Sequence, residues 1–157
     1  MKYFIFLRWS KFNYYRHISD YVSKSNLQFL VNFLSDDYES DDQDMFIRTV
    51  NFYNANFVYN DIQNKILYIG CSEWELDEDV EAPFREEFPD YVNESNSCKI
   101  SIDNFIELAK KIMDMKKNPT PFAIMYRDDN DWIDFKGFDT QAEMESFVQN
   151  YQPEAVH

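Results

Sequence analysis

Residues 121–135 read P-F-A-I-M-Y-R-D-D-N-D-W-I-D-F, and this stretch sets the fold class. Two short runs rich in aromatic and branched residues, Phe122 to Tyr126 and Trp132 to Phe135, bracket Asp128-Asp129-Asn130-Asp131. Runs of that composition separated by a four-residue polar loop predict a β-hairpin. Helical patterns lie on both sides of it. Ser101 is placed to cap a helix in which Ile102, Phe105, Ile106, Ala109, Ile112 and Met113 form one apolar stripe. Glu107 can pair with Lys111, and Lys116 and Lys117 sit where the helix dipole favours cations, before Asn118 and Pro119 stop the helix. After the hairpin, Thr140 with Glu143 forms a capping box, and Met144, Phe147, Val148 and Tyr151 mark the buried side of a last helix. Pro153 closes it, and the tail from about 153 is expected to fray.

Further from the hairpin, Tyr3 to Leu7 is an apolar run expected of a strand covered on both faces. Ser25 and Gln28 make a second capping box ahead of Leu27, Leu30, Val31 and Leu34, with the helix ending near Ser35. Between Met45 and Tyr53, Phe46, Val50 and Phe52 alternate with Arg48 and Asn51 and favour a strand. Turns at 54–56 and 61–64 flank Phe57 to Tyr59, and Ile66 to Gly70 is a further strand, so the middle reads as an antiparallel meander. The expectation is one α+β domain over residues 1–157, with a mixed or largely antiparallel sheet of about five to six strands and about three main helices.

Composition supports a folded chain. A domain of 157 residues buries roughly 70% of its unfolded surface. The sequence is 45% hydrophobic and 18% aromatic, unlike disordered chains. The net charge of −14 makes nucleic acid and anionic membrane disfavoured partners. Cys71 and Cys98 lack metal-ligand or C-x-x-C spacing and read as two reduced, half-buried thiols. The apolar run after Lys2 is too short for a signal peptide or a membrane span, so a cytoplasmic protein is expected.

Chemistry-bearing motifs are sparse. The histidines are His17, read as a surface or structural residue at the edge of the first helical region, and the terminal His157. No serine sits in a nucleophile elbow, and with glycines only at Gly70 and Gly137 no phosphate loop can form. Asp128-Asp129-Asn130-Asp131 starts like a calcium loop, but Ile133 stands where glycine is needed and Asp139 where glutamate is needed. No catalytic, metal-binding or cofactor-binding residue is assigned, and the chain is read as a non-enzyme.

The unusual feature is acid clustering. Asp36, Asp37, Glu39, Asp41, Asp42 and Asp44 form one polar stretch, read as an exposed loop, and residues 73–94 hold ten further acids against the single base Arg85. The second stretch includes Glu73, Glu75, Asp77, Glu78, Asp79 and Glu81, with Pro83 and Pro89 arguing against a regular element throughout. One reading is a solvated face that keeps the protein soluble. The other is a docking surface, because clustered like charge repels itself until a basic partner neutralises it. Trp74, among these acids, is either a core tryptophan or the desolvated anchor of an interface whose acids steer encounter.

The segment from Ile100 to Tyr151, about a third of the chain, runs through S-I-D-N-F-I-E-L-A-K-K-I, the hairpin above, and G-F-D-T-Q-A-E-M-E-S-F. In layout and charge style it resembles the small immunity proteins of bacterial contact-dependent growth inhibition and related polymorphic toxin systems. That resemblance implies a cytoplasmic protein without activity of its own that binds one cognate toxin domain, often a nuclease. A nuclease must be basic to hold phosphates, so an acidic inhibitor suits it electrostatically. Two rival classes are a DNA-mimicking anti-restriction inhibitor, which needs charges spread along an elongated surface, and a carboxylate-based hydrolase, which needs a cleft with a raised carboxyl pKa.

Overall fold

In the computed structural model, residues 1–18, 26–36, 38–53, 56–71 and 90–152 are described. They form eight strands in two four-stranded antiparallel sheets, with four helices. The single sheet and three helices expected from sequence are thereby corrected, although the α+β class holds. The first sheet joins the two ends of the chain, in the order β2 (Tyr15–His17), β1 (Tyr3–Trp9), β7 (Phe122–Arg127), β8 (Ile133–Phe138). The second is contiguous in sequence: β3 (Val50–Tyr53), β4 (Asn56–Asp61), β5 (Ile66–Cys71), β6 (Ser97–Ser101). The antiparallel meander is present as β3–β4–β5.

Helices α1 (Leu27–Asp36) and α3 (Ile102–Lys117) each pack on strands of both sheets, α1 on β1, β2, β5 and β6 and α3 on β6 and β8. Short α2 (Asp44–Ile47) packs on β3 and β4. The main core therefore draws Ile5 and Leu7 from β1, Met125 from β7, Phe135 from β8, Leu67 and Ile69 from β5, and Phe33 and Phe105 from the helices. Helix α4 (Gln141–Gln149) covers the opposite face of the first sheet, where Phe6, Ile124, Tyr126 and Met144 form a second cluster. With both faces covered, β1 and β7 are apolar without alternation: Ile5, Phe6 and Leu7 are all buried, as is every residue from Ala123 to Arg127.

The caps act where the sequence places them. Ser101 Oγ accepts from the Asn104 amide at 3.2 Å, and Thr140 Oγ1 accepts from the Glu143 amide at 3.2 Å. Other expectations need correction. Residues 44–47 are helical, and only Val50–Tyr53 is the strand expected over Met45 to Tyr53. His17 ends a strand, not a helical region. The α3 stripe is rotated: Leu108 is buried and Ile106 is 49% exposed, because Asn104 occupies a core position. Lys111 pairs with Asp134 on β8. Cys98 is fully buried, while Cys71 is half-buried, and neither is in a disulfide.

Asn104 and Arg127 close the seam between the sheets. Asn104 Nδ2 donates to the Ile133 carbonyl at 2.7 Å, and its Oδ1 accepts from the Ile133 amide at 2.8 Å. A side chain thus supplies what a neighbouring strand would give to β8, whose outer edge is otherwise open to pairing. Arg127 donates to the Lys99 carbonyl on β6 at 2.6 Å and to Cys98 Sγ at 3.6 Å. Gly70 is required where β5 passes under the turn before β6, since a Cβ there would lie 2.0 Å from the Asn96 carbonyl oxygen. The tail from 153 and the Ser25 cap lie outside the described residues.

Candidate protein-docking site

The connection between α1 and α2 carries the first acidic stretch, and its shape is set by two aromatic anchors. Past the end of α1 the Tyr38 amide donates to the Phe33 carbonyl at 2.9 Å, and the Tyr38 ring meets Phe105 edge-on at 5.3 Å between centroids. The connection then turns, with the Asp42 amide donating to the Glu39 carbonyl at 3.0 Å. Asp42 fastens the far side: its Oδ2 accepts from the Tyr53 hydroxyl at 2.6 Å and its Oδ1 from the Asp44 amide at 3.0 Å. Both carboxylate oxygens therefore have partners inside the protein.

The electrostatics follow from that clamp. Burial raises the Tyr53 hydroxyl pKa well above its usual value, helped by the hydrogen bond to Asp42 and by the charges of Asp42 and Asp44, with Arg48 opposing. Tyr38 is raised by burial and then by Asp42. Asp44 opens α2, where the helix dipole favours a negative charge, and pairs with Arg48 at 3.7 Å. Burial lowers the Lys116 pKa and the nearby Asp36 charge opposes this, while the Lys116 ammonium donates to the Leu34 carbonyl at 3.1 Å.

Of the residues picked from sequence, Asp36, Glu39, Asp41, Asp42 and Asp44 fall on this one connection and its flanking helix ends. Asp36, Glu39, Asp41 and Asp44 are exposed, and Asp42 is half-buried. Asp37, Glu73, Trp74, Glu75, Asp77, Glu78, Asp79 and Glu81 lie outside the described residues.

Two residues of the site were not legible from the sequence pattern. Ile47, at the end of α2, is 68% exposed, and Ile106 is the exposed residue on α3 noted above. Their chain neighbours Phe46 and Phe105 bring the two helices together, with rings 6.1 Å apart. Exposed isoleucines beside an acidic connection offer apolar anchor area next to steering charge. The strand reading of Met45 to Tyr53 hid Ile47, and for Ile106 the apolar stripe of its helix pointed to burial.

Chemical alternatives find little to work with among the described residues. No group of three or more His, Cys, Asp or Glu is placed to hold a metal ion. The Cys98 thiol is pushed up to about 11 by burial, against the opposing Arg127 charge and hydrogen bond, so it is held protonated at neutral pH. The Asp131 carboxyl, in the β7–β8 loop, is lowered chiefly by its hydrogen bond with Lys2, the two groups being 2.6 Å apart. The void between Leu7, Val31, Ile112 and Phe135 measures about 10 Å³, no more than one water. No described helix is long and apolar enough to cross a membrane. Compared with protein-family models, curated proteins and solved structures, the chain matches none.

Proposed function

We propose that this chain is an immunity-type inhibitor that binds a basic toxin domain, a nuclease, through its acidic surface, and that it works by occupation and not by chemistry. The observation that carries this reading is the α1–α2 connection, where Glu39 and Asp41 are exposed on a backbone held by Tyr38 and by the Asp42–Tyr53 bond. A fixed display of charge loses less entropy on binding than a mobile one. Ile47 and Ile106 add apolar area close by.

The division of labour among the acids is specific. Asp42 holds the fold, while Asp36, Glu39 and Asp41 face the partner. Opposite charges on such surfaces raise association to about 10⁸–10⁹ M⁻¹s⁻¹ at low salt, against about 10⁵–10⁶ without steering. The test is co-expression with the C-terminal domain of the protein encoded by the gene immediately upstream of this one. Restored growth and a complex that survives gel filtration are expected. Persistent toxicity with both proteins folded and no complex refutes the reading.

A further inference from the structure

The first nineteen residues carry Lys2, Arg8, Lys11 and Arg16 and no carboxylate, in a chain of net charge −14. Three of these cations lie on the β1–β2 hairpin. Arg8 and Arg16 are direct cross-strand partners, so their side chains leave the sheet on the same face. It is the face of Phe6 and Phe122, which α4 covers farther along at β7 and β8. The Arg8 guanidinium lies 5.4 Å from the centre of the Phe122 ring. At the hairpin tip Phe12 is 65% exposed and stacked on Tyr14, with centroids 6.4 Å apart and planes 17° from parallel. Lys11 Nζ sits 5.1 Å from the centre of the Phe12 ring.

Like charges placed directly opposite on neighbouring strands destabilise the pair. Among the described residues, no carboxylate lies within 4.0 Å of Arg8, Lys11 or Arg16. Two arginines on directly paired positions of one sheet face can turn their planar forks to one phosphate group, which each can grip through two parallel hydrogen bonds. Phe12, 65% exposed, offers ring surface of the kind on which nucleobases stack, reached where the flexible Lys11 side chain now lies over the ring.

We propose that the β1–β2 hairpin binds a nucleoside monophosphate, with Arg8 and Arg16 holding the phosphate and Phe12 stacking on the base. A single phosphate feels mainly the local cations, because charges beyond about 8 Å are screened at physiological salt. Each further phosphate of a polymer enters the field of the acidic body, which favours the free nucleotide over a strand. An acidic peptide brings carboxylates but no ring to match the Phe12 face. The proposal is independent of the toxin-binding reading and stands or falls separately.

The experiment is calorimetric and NMR titration of the full chain with adenosine 5′-monophosphate, adenosine, inorganic phosphate and a short 5′-phosphorylated oligothymidylate. The expected result is sub-millimolar binding of the nucleotide, at least about tenfold tighter than phosphate or adenosine alone. Arg16→Gln should weaken it by about tenfold or more, and Phe12→Ala by about threefold or more, with unchanged circular dichroism. Should a variant unfold, the wild-type shift map decides, since Arg8, Phe12 and Arg16 must be among the perturbed residues. No perturbation there at millimolar nucleotide overturns the proposal, as does equal affinity for phosphate alone. Tighter binding of the oligonucleotide than of the nucleotide overturns the choice of a free nucleotide and assigns the site to a strand end.

Discussion

Replacing Asn104 with leucine keeps the number and branching of the side-chain heavy atoms and removes both hydrogen bonds to Ile133. Asn104 is 2% exposed and Ile133 1% exposed, so water has no ready access to the Ile133 amide and carbonyl once the partner is gone. Each buried, unsatisfied polar group costs about 1–3 kcal/mol, and removal of the buried amide of Asn104 itself returns part of this. A central figure of about 3 kcal/mol is a large share of the about 5–15 kcal/mol by which a domain is stable. At about 2–4 °C per kcal/mol for a chain of this size, Tm should fall by about 6–12 °C. Urea unfolding should give the same loss as a lower midpoint at unchanged m-value. Hydrogen exchange supplies a local reading, because the Ile133 amide should exchange much faster in Asn104→Leu while amides at the centre of β7 stay protected. A Tm within about 2 °C of wild type, or an Ile133 amide still protected in the variant, would refute the reasoning that this one side chain satisfies the edge of β8.

Three further outcomes follow from the same geometry. Tyr53→Phe removes the hydroxyl that holds Asp42 and should cost about 1–2 kcal/mol at neutral pH. Because the folded-state pKa of Tyr53 is raised, the stability it contributes is fully present below the unfolded value near 10 and is lost as pH rises above it. The gap between wild type and Tyr53→Phe should therefore narrow above about pH 10 in urea midpoints, and a constant gap would contradict the assignment. Cys98 should resist Ellman's reagent at about pH 8 in the folded protein and react once urea unfolds it, since burial and a pKa near 11 both withhold the thiolate. Gly70→Ala should lower stability by about 1–3 kcal/mol, because its methyl meets a backbone carbonyl that cannot rotate aside; an unchanged Tm would mean that the close approach is relieved at no cost.

The parts of the fold that were legible in sequence are those fixed by local chemistry. The Ser101 and Thr140 caps depend on residues three positions away, and the β7–β8 hairpin on its own loop, so each is written in a few consecutive residues. Strands β2 and β6 were hidden by polar composition: Arg16 and His17 make up most of β2, and Ser97, Lys99 and Ser101 make β6 look polar. The rotation of α3 was hidden by Asn104, a polar residue whose partner Ile133 is 29 positions away. Within the acidic stretch, Asp41 and Asp42 are chemically identical in sequence. Only the hydroxyl of Tyr53, eleven residues on, gives them different tasks. The basic hairpin was obscured by the net charge, which averages away a cation-rich segment at one end of an acidic chain.

The central claim is that exposed acids on the α1–α2 connection steer a basic protein onto this surface. Its most direct test is the association rate with the toxin domain that co-expression identifies as its partner, measured by stopped flow across ionic strength for wild type and for Glu39→Lys combined with Asp41→Lys. The account predicts a wild-type rate that falls steeply with salt, and a variant at least about tenfold slower at low salt with a flatter slope and unchanged thermal stability. Equal rates and equal salt slopes for the two proteins would contradict it.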